Sequence, residues 1–252
     1  MLSIIVLTHN SEEVIADCLE SLRGLGDEII VVDSESSDRT AQLAERLGAK
    51  VISHKFIDFA DQRNFSISQT KGEWVLYLDS DEQATEEFKR NVKNVIEHFS
   101  ENSGIGGYYI RRKTFYFGKD WGFVDRVQRL FYKPKFLSWY GKVHETPKAE
   151  GRFEVIEYPI LHFTHRDLSQ MVEKTNEWSE VEVDLRFRAN HPQMNVVRFI
   201  RVMLTAFLRS YVFEKGYKNG TAGLVESMYQ AFSMFITYAK LWEKQLLQSG
   251  KK

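Results

Sequence analysis

The sequence predicts an α/β protein: a mostly parallel sheet with helices on both faces, followed by C-terminal amphipathic helices. Short β-rich runs alternate with segments whose apolar residues recur nearer to three and four than to two, the order of strands joined by crossover helices. The strand-like runs are continuously apolar, as strands covered on both faces are. The residues after each run turn polar, and in such sheets ligands bind beyond the carboxyl ends of the strands.

The first run, SIIVL (Ser3–Leu7), ends in Thr8, His9 and Asn10 and is followed by the helical pattern EEVIADCLESL. EIIVVD (Glu28–Asp33) opens into DSESSDRT and the helix pattern RTAQLAERL. KVIS (Lys50–Ser53) leads to FADQRNFS, which suits a helix start with Asp61 in its first turn, and WVLYL (Trp74–Leu78) runs straight into DSDE, Asp79 to Glu82. One acid at a strand end is an ordinary helix cap. Acidic or amide side chains at three ends of one rim point to a shared crevice. The chain has no G-x-x-x-x-G-K-[ST] loop, and GIGG (Gly104–Gly107) lacks the dinucleotide spacing and does not follow the first strand, so a nucleotide here is expected to be held by carboxylates and a metal.

With 252 residues, 43% hydrophobic content and four prolines, the chain can bury a substantial core and carries no linker-like run. The single Cys18 excludes an internal disulfide framework and suits a reducing compartment. MLSIIVLTHN reads as a first strand rather than a signal peptide, so a cytoplasmic location is expected. Net charge of −1 argues against nucleic acid as a partner, yet residues 196–252 carry nine Lys/Arg against three Glu, with 25 against 32 before them. A basic tail beside apolar helices points to an anionic membrane surface.

Asp79 and Asp81, separated by one residue where the backbone turns, can face one ligand, and their repulsion calls for a cation or a raised pKa. Mg2+ or Mn2+ answers this, because either takes one or two carboxylates and completes its shell with phosphate oxygens and water. The implied ligand is a diphosphate.

The pieces SIIVLTHN, IIVVDSESSDRT, DQRNFS, VLYLDSDE and KVHE, in this order, resemble the family 2 glycosyltransferases with the GT-A nucleotide-sugar-binding fold, and the likeness covers most of the chain. The resemblance implies a nucleotide-diphosphate sugar donor, with Thr8, Asn10 and Asp33 at the nucleoside, Asp79 near the ribose or sugar and Asp81 on the metal. Arg63 is suited to a phosphate, since its planar fork donates two parallel hydrogen bonds; Gln62 and Asn64 have structural readings beside functional ones. WYGKVHET resembles the lipopolysaccharide-core branch, in which Glu145 stands at the position of the base of an inverting transfer. His144 could order that base or bind the acceptor, and is as readily a half-buried histidine. His162, or less readily His165, could add a third metal ligand. Arg126 and Arg129 alternate with apolar residues as a strand would, and either could meet the diphosphate or sit exposed on an edge strand.

In NVVRFIRVMLTAFLRSYVF (Asn195–Phe213), Arg198, Arg201, Thr205 and Arg209 share one side and the rest is almost wholly apolar. No run reaches the roughly twenty apolar residues of a span, so an in-plane helix is expected, with packing between helices or self-association into a homo-oligomer as alternatives. LVESMYQAFSMFITYAKLWEKQL repeats the pattern. The expected organisation is a catalytic domain over residues 1–190 and an amphipathic helical region over 191–252. The expected function is transfer of a hexose to a lipid-linked envelope glycan. A nucleotidyltransferase and a catalytically silent nucleotide-sugar-binding scaffold remain as alternatives.

Overall fold

A computed structural model describes residues 1–141, 145–248 and 250. The first half follows the expected order: β1 (Leu2–Thr8), α1 (Ile15–Ser21), β2 (Glu28–Asp33), α2 (Thr40–Arg46), β3 (Lys50–Ser53), α3 (Phe59–Ser68) and β4 (Trp74–Asp79). β1 pairs in parallel with β2 and β4, and β2 pairs in parallel with β3. All seven residues of β1 are buried. Ile4 and Val6 lie in one core with Ile15, Cys18 and Leu19 of α1, while Ile5 and Leu7 lie in another with Ala60 of α3, against which Phe65 packs. A strand covered on both faces needs no polar alternation, which is why this one reads as a continuous apolar run.

The chain then forms β5 (Glu82–Gln83), α4 (Glu86–Glu97), β6 (Ile105–Tyr116), β7 (Lys119–Tyr132), β8 (Phe136–Tyr140), β9 (Thr146–Ala149) and β10 (Arg152–Thr164). Thr85 caps α4 by accepting the Phe88 N–H, and Phe88 and Val92 add to the first core. The eight-stranded sheet runs β3-β2-β1-β4-β7-β6-β10-β5, with β8 and β9 apart as a two-stranded sheet. β7 joins β4 antiparallel and β5 joins β10 antiparallel, so the sheet is mixed beyond its parallel β3-β2-β1-β4 half. Chain order runs outward from β1 through β2 to β3 and returns to β4 on the other side of β1. A crevice opens beyond the strand ends at such a reversal.

The chain divides into two compact units, Met1–Lys113 with Val124–His162, and Thr114–Phe123 with Phe163–Lys252. The longer stretch of the second unit begins at Phe163 and includes residues 191–252. The second unit contains α5 (Leu168–Arg188), α6 (Val196–Leu208), a π-helical turn over Arg209–Phe213 and α7 (Gly220–Gln248). Contacts distant in sequence tie α5 to α7: Thr175 meets the Tyr229 hydroxyl at 2.5 Å, Tyr229 donates to the Met171 carbonyl at 2.7 Å, and Arg186 donates to Tyr238 at 2.9 Å. No local periodicity announces them.

α6 buries none of its residues fully. Val197, Ile200 and Leu204 are 75%, 60% and 53% exposed, whereas Phe199 and Val202, on the other side, pack on the Val183–Met194–Tyr238–Leu241 core. Among the described residues no helix is long and apolar enough to cross a membrane. Phe88 is wholly buried, and its replacement by alanine should cost about 3–5 kcal/mol, read as a lowered urea midpoint with little change in denaturant slope.

Candidate functional site

The register of the parallel strands brings the rim together: Thr8 pairs opposite Asp33, and Leu7 opposite Asp79. Asp33 is buried and accepts from the Ser36 N–H at 2.9 Å and the Ser36 hydroxyl at 2.5 Å. Asn10 takes a left-handed conformation, φ +43°, which asparagine tolerates better than most residues. Its N–H donates to Ser36 Oγ at 2.8 Å and its Oδ1 accepts from the Ser37 N–H at 2.9 Å. Asn10 and Asp33 thus fasten the β1 and β2 loops to one another.

Asp79 sits between two buried guanidinia. Arg129 donates to both its oxygens, at 3.2 and 2.5 Å, and Arg63 Nη2 donates to Oδ1 at 3.1 Å. Burial alone would raise this carboxyl, but Arg129 and Arg63 outweigh it and hold it well below the usual carboxylate range. Beneath lies Glu82, fully buried, whose Oε2 accepts the Asp79 N–H at 2.9 Å and whose Oε1 accepts from Arg112 at 3.3 Å. Burial pushes Glu82 upward, Arg129 and Arg112 offset part of the rise, and the Asp79 charge adds to it. Arg112 grips Asp125 with two parallel hydrogen bonds of 3.1 and 2.6 Å.

Glu145 reaches this cluster from the other side, accepting from Arg63 Nε at 2.8 Å. The Arg63 guanidinium carbon sits 5.0 Å from the Trp139 ring centroid and 5.3 Å from that of Tyr77, and the Tyr77 hydroxyl donates to the Arg63 carbonyl at 3.0 Å. Asn64 proves structural: its amide donates to the Trp139 carbonyl at 2.9 Å and accepts from the Trp139 N–H at 2.8 Å, fixing β8 to α3. Gln62 donates to Ser34 Oγ at 2.7 Å. Among the described residues of this unit, four buried polar side-chain atoms have no protein partner, Thr8 Oγ1, Gln62 Oε1, Arg63 Nη1 and Trp139 Nε1. Buried groups of this kind cost stability unless something satisfies them.

Asp81 turns from Asp79 toward His162, Oδ2 to Nε2 at 3.4 Å. The antiparallel pairing of β5 with β10 sets His162 opposite Glu82. Burial would lower the imidazole, but Asp81, with Glu82 behind it, holds it above its usual range. The pair offers one oxygen and one nitrogen, a donor set that suits Mn2+, or Mg2+ through the carboxylate, when phosphates and water complete the shell. Among the described residues no group of three or more His, Cys, Asp or Glu is assembled to hold a metal.

His165 is occupied elsewhere, 2.9 Å from both Glu226 oxygens inside the helical unit. Arg126 is exposed and Arg129 buried. β7 lies between β4 and β6, so the edge-strand expectation is corrected. His144 falls outside the described residues. Sequence reasoning assigned nothing to Glu82, Arg112 or Asp125. Two inward-facing charges on neighbouring antiparallel strands are the signal that could have found the last two, once the pairing of β6 with β7 is known.

A family model described as "Glycosyl transferase family 2" matches residues 3–150. An uncharacterised glycosyltransferase of Rickettsia typhi is 26% identical over 97% of this chain and 88% of its own. The lipopolysaccharide core biosynthesis glycosyltransferase LpsC of Rhizobium meliloti is 25% identical over 98% of this chain and 94% of its own. Among solved structures, glucosyl-3-phosphoglycerate synthase from Mycobacterium tuberculosis with Mn2+, UDP and glucosyl-3-phosphoglycerate aligns with 27% identity over 46% of this chain and 44% of that one, at a TM-score of 0.36. That likeness is too slight to bear on the site.

Removing Glu82 would take from the Asp79 N–H and from Arg112 the buried oxygens they donate to. Glu82→Ala should destabilise the protein by about 3–5 kcal/mol in chemical denaturation.

Proposed function

Since the chain belongs to the family 2 glycosyltransferases, an α/β enzyme family with the GT-A fold, we propose that it moves a hexose from a nucleoside diphosphate sugar, UDP-linked, to a hydroxyl of a lipid-anchored envelope glycan such as lipopolysaccharide core. The observation that carries this reading is the meeting of Asp79 and Glu145 on one buried guanidinium, that of Arg63. It brings a rim carboxylate and a candidate base, far apart in sequence, to either side of one position. The full-length likeness to LpsC supports the acceptor class.

In the proposed reaction the Glu145 carboxylate takes the proton of the acceptor hydroxyl as its oxygen attacks the anomeric carbon. The bond from that carbon to the diphosphate breaks on the opposite face, so the configuration inverts. Thr8, Asn10 and Asp33 receive the nucleoside, and Asp79, held in place by Arg129, lies toward the ribose or sugar. Arg63 is within reach of the phosphates through its unsatisfied Nη1. Asp81 and His162 would hold Mg2+ or Mn2+, which when bound stabilises charge on the leaving diphosphate.

The helical unit is proposed to lie on the anionic cytoplasmic face of the inner membrane. The exposed Val197, Ile200, Leu204 and Leu208 of α6 would enter the lipid, with Arg198 and Arg201 at the headgroups. Confining the enzyme to its acceptor's surface raises the effective concentration of both.

Glu145→Gln should lower transfer by about a hundred- to ten-thousand-fold, measured as product formed on extracted lipid-linked glycan. Asp81→Ala should abolish turnover and its dependence on added Mn2+ while far-UV circular dichroism stays unchanged; near-normal activity would remove the metal role. For the membrane, Ile200→Asp with Leu204→Asp should abolish flotation with phosphatidylglycerol vesicles, whereas persistent flotation would place the contact elsewhere.

A further inference from the structure

Two carboxylates share Arg63, and they depend on it unequally. Asp79 is already gripped through both oxygens by Arg129. Glu145 has Arg63 as its one ion-pair partner among the described residues, through Nε at 2.8 Å. Arg63 is 3% exposed, and its Nη1 has no partner. A buried guanidinium nitrogen left without an acceptor is a standing cost, and the chemistry that satisfies it best is an anionic oxygen, above all a phosphate presented to the planar fork.

A phosphate arriving at Nη1 meets a guanidinium that already serves two acids. Asp79 can release its share because Arg129 remains. Glu145 gives up its one ion pair among the described residues if it releases Arg63, and it stands beside the incoming anion if it keeps it. The diphosphate and Glu145 therefore compete for one cation. The Trp139 and Tyr77 rings beside the guanidinium limit its movement, so its hydrogen bonds are redistributed within a narrow slot.

We infer that Arg63 is a positioning residue linking donor to base: with the donor absent it holds the Glu145 carboxylate, and the donor's diphosphate draws it away, freeing that carboxylate for the acceptor hydroxyl. This rests on the transferase reading above. It has a consequence that a purely structural Arg63–Glu145 pair lacks. Removing the charge of Glu145 removes a competitor, so the variant that loses transfer gains affinity for the diphosphate.

The test is calorimetric titration of UDP, and separately of GDP, in Mn2+ into the wild-type protein, Glu145→Gln, Asp125→Asn, Arg63→Lys and the Glu145→Gln/Arg63→Lys double variant. Asp125 is the charge control, since it pairs with Arg112 and not with Arg63. Glu145→Gln is expected to bind about tenfold more tightly than wild type, inside the roughly 5- to 150-fold range of such couplings. Asp125→Asn should bind as wild type does. In the Arg63→Lys background, where the charge stays and the fork is lost, Glu145→Gln should gain nothing. Equal or weaker binding to Glu145→Gln, when wild type binds measurably, overturns the inference alone. So does an equal gain in Asp125→Asn, which would reduce the effect to net charge, or a gain that survives Arg63→Lys. If neither nucleotide binds any form, the UDP-sugar reading falls and this inference falls with it.

Discussion

Asp79 and Glu82 are placed where a parallel strand ends, Glu82 wholly buried and the Asp79 side chain 33% exposed. Burying an uncompensated carboxylate costs several kcal/mol, by the order-of-magnitude penalties for ions removed from water. The molecule answers with three guanidinia, Arg63 and Arg129 on Asp79 and Arg112 beside Glu82. Around those three cations stand four acids, Asp79, Glu82, Asp125 and Glu145. The cluster so counted is one cation short, and the strain shows at Glu82, whose carboxyl is pushed upward while that of Asp79 is pulled down. Opposite displacements of two adjacent acids are common where a site is electrostatically prepared for a ligand.

That constraint accounts for the second half of the sheet. A parallel βαβ array ending at β4 would carry the acids with Arg63 of α3 alone to meet them. β7, laid antiparallel against β4, brings Arg129 to Asp79 and carries Asp125, while β6 supplies Arg112 and α3 supplies Arg63. β10 returns to pair with the two-residue β5, which sets His162 beside Asp81. Asn64 then fastens Trp139 to α3 by a pair of hydrogen bonds resembling those between strands, and Glu145, just ahead of β9, meets Arg63. Each of these elements comes from a different stretch of sequence, and each meets the rim through a charge.

The parallel half was legible because its signals are local. A strand buried on both faces, as β1 is, cannot hide its composition, and helix α3 was visible from its acidic first turn. The helical pattern of Asn195–Phe213 was equally visible, since α6 and the turn after it occupy that stretch. What stayed hidden depends on pairing between distant segments. Arg112 looks like any charge on a strand until β6 and β7 are known to be neighbours, and Arg129 could not be told from an edge residue until β7 was seen to be interior. Asn64 gave no sign of its backbone partner. The joining of α5 to α7 was hidden for the same reason: its side chains lie more than fifty residues from their partners, beyond the reach of any periodicity.

The helical unit poses the converse problem, apolar side chains without cover. Leu204, Ile200 and Val197 keep more than half their surface in water, and burying one such side chain is worth about 1.5–3 kcal/mol. A helix packed only for stability would turn that face inward, yet here Phe199 and Val202 pack inward while the aliphatic face stays out. On the membrane reading the exposed face is retained for a second solvent. On the same reading the arginines at its margin would set the choice of lipid, because each basic side chain near an anionic surface adds about 1 kcal/mol, a contribution a neutral bilayer would not supply. Hydrophobic entry alone would let the unit settle on any bilayer; charge would restrict it to an acidic one.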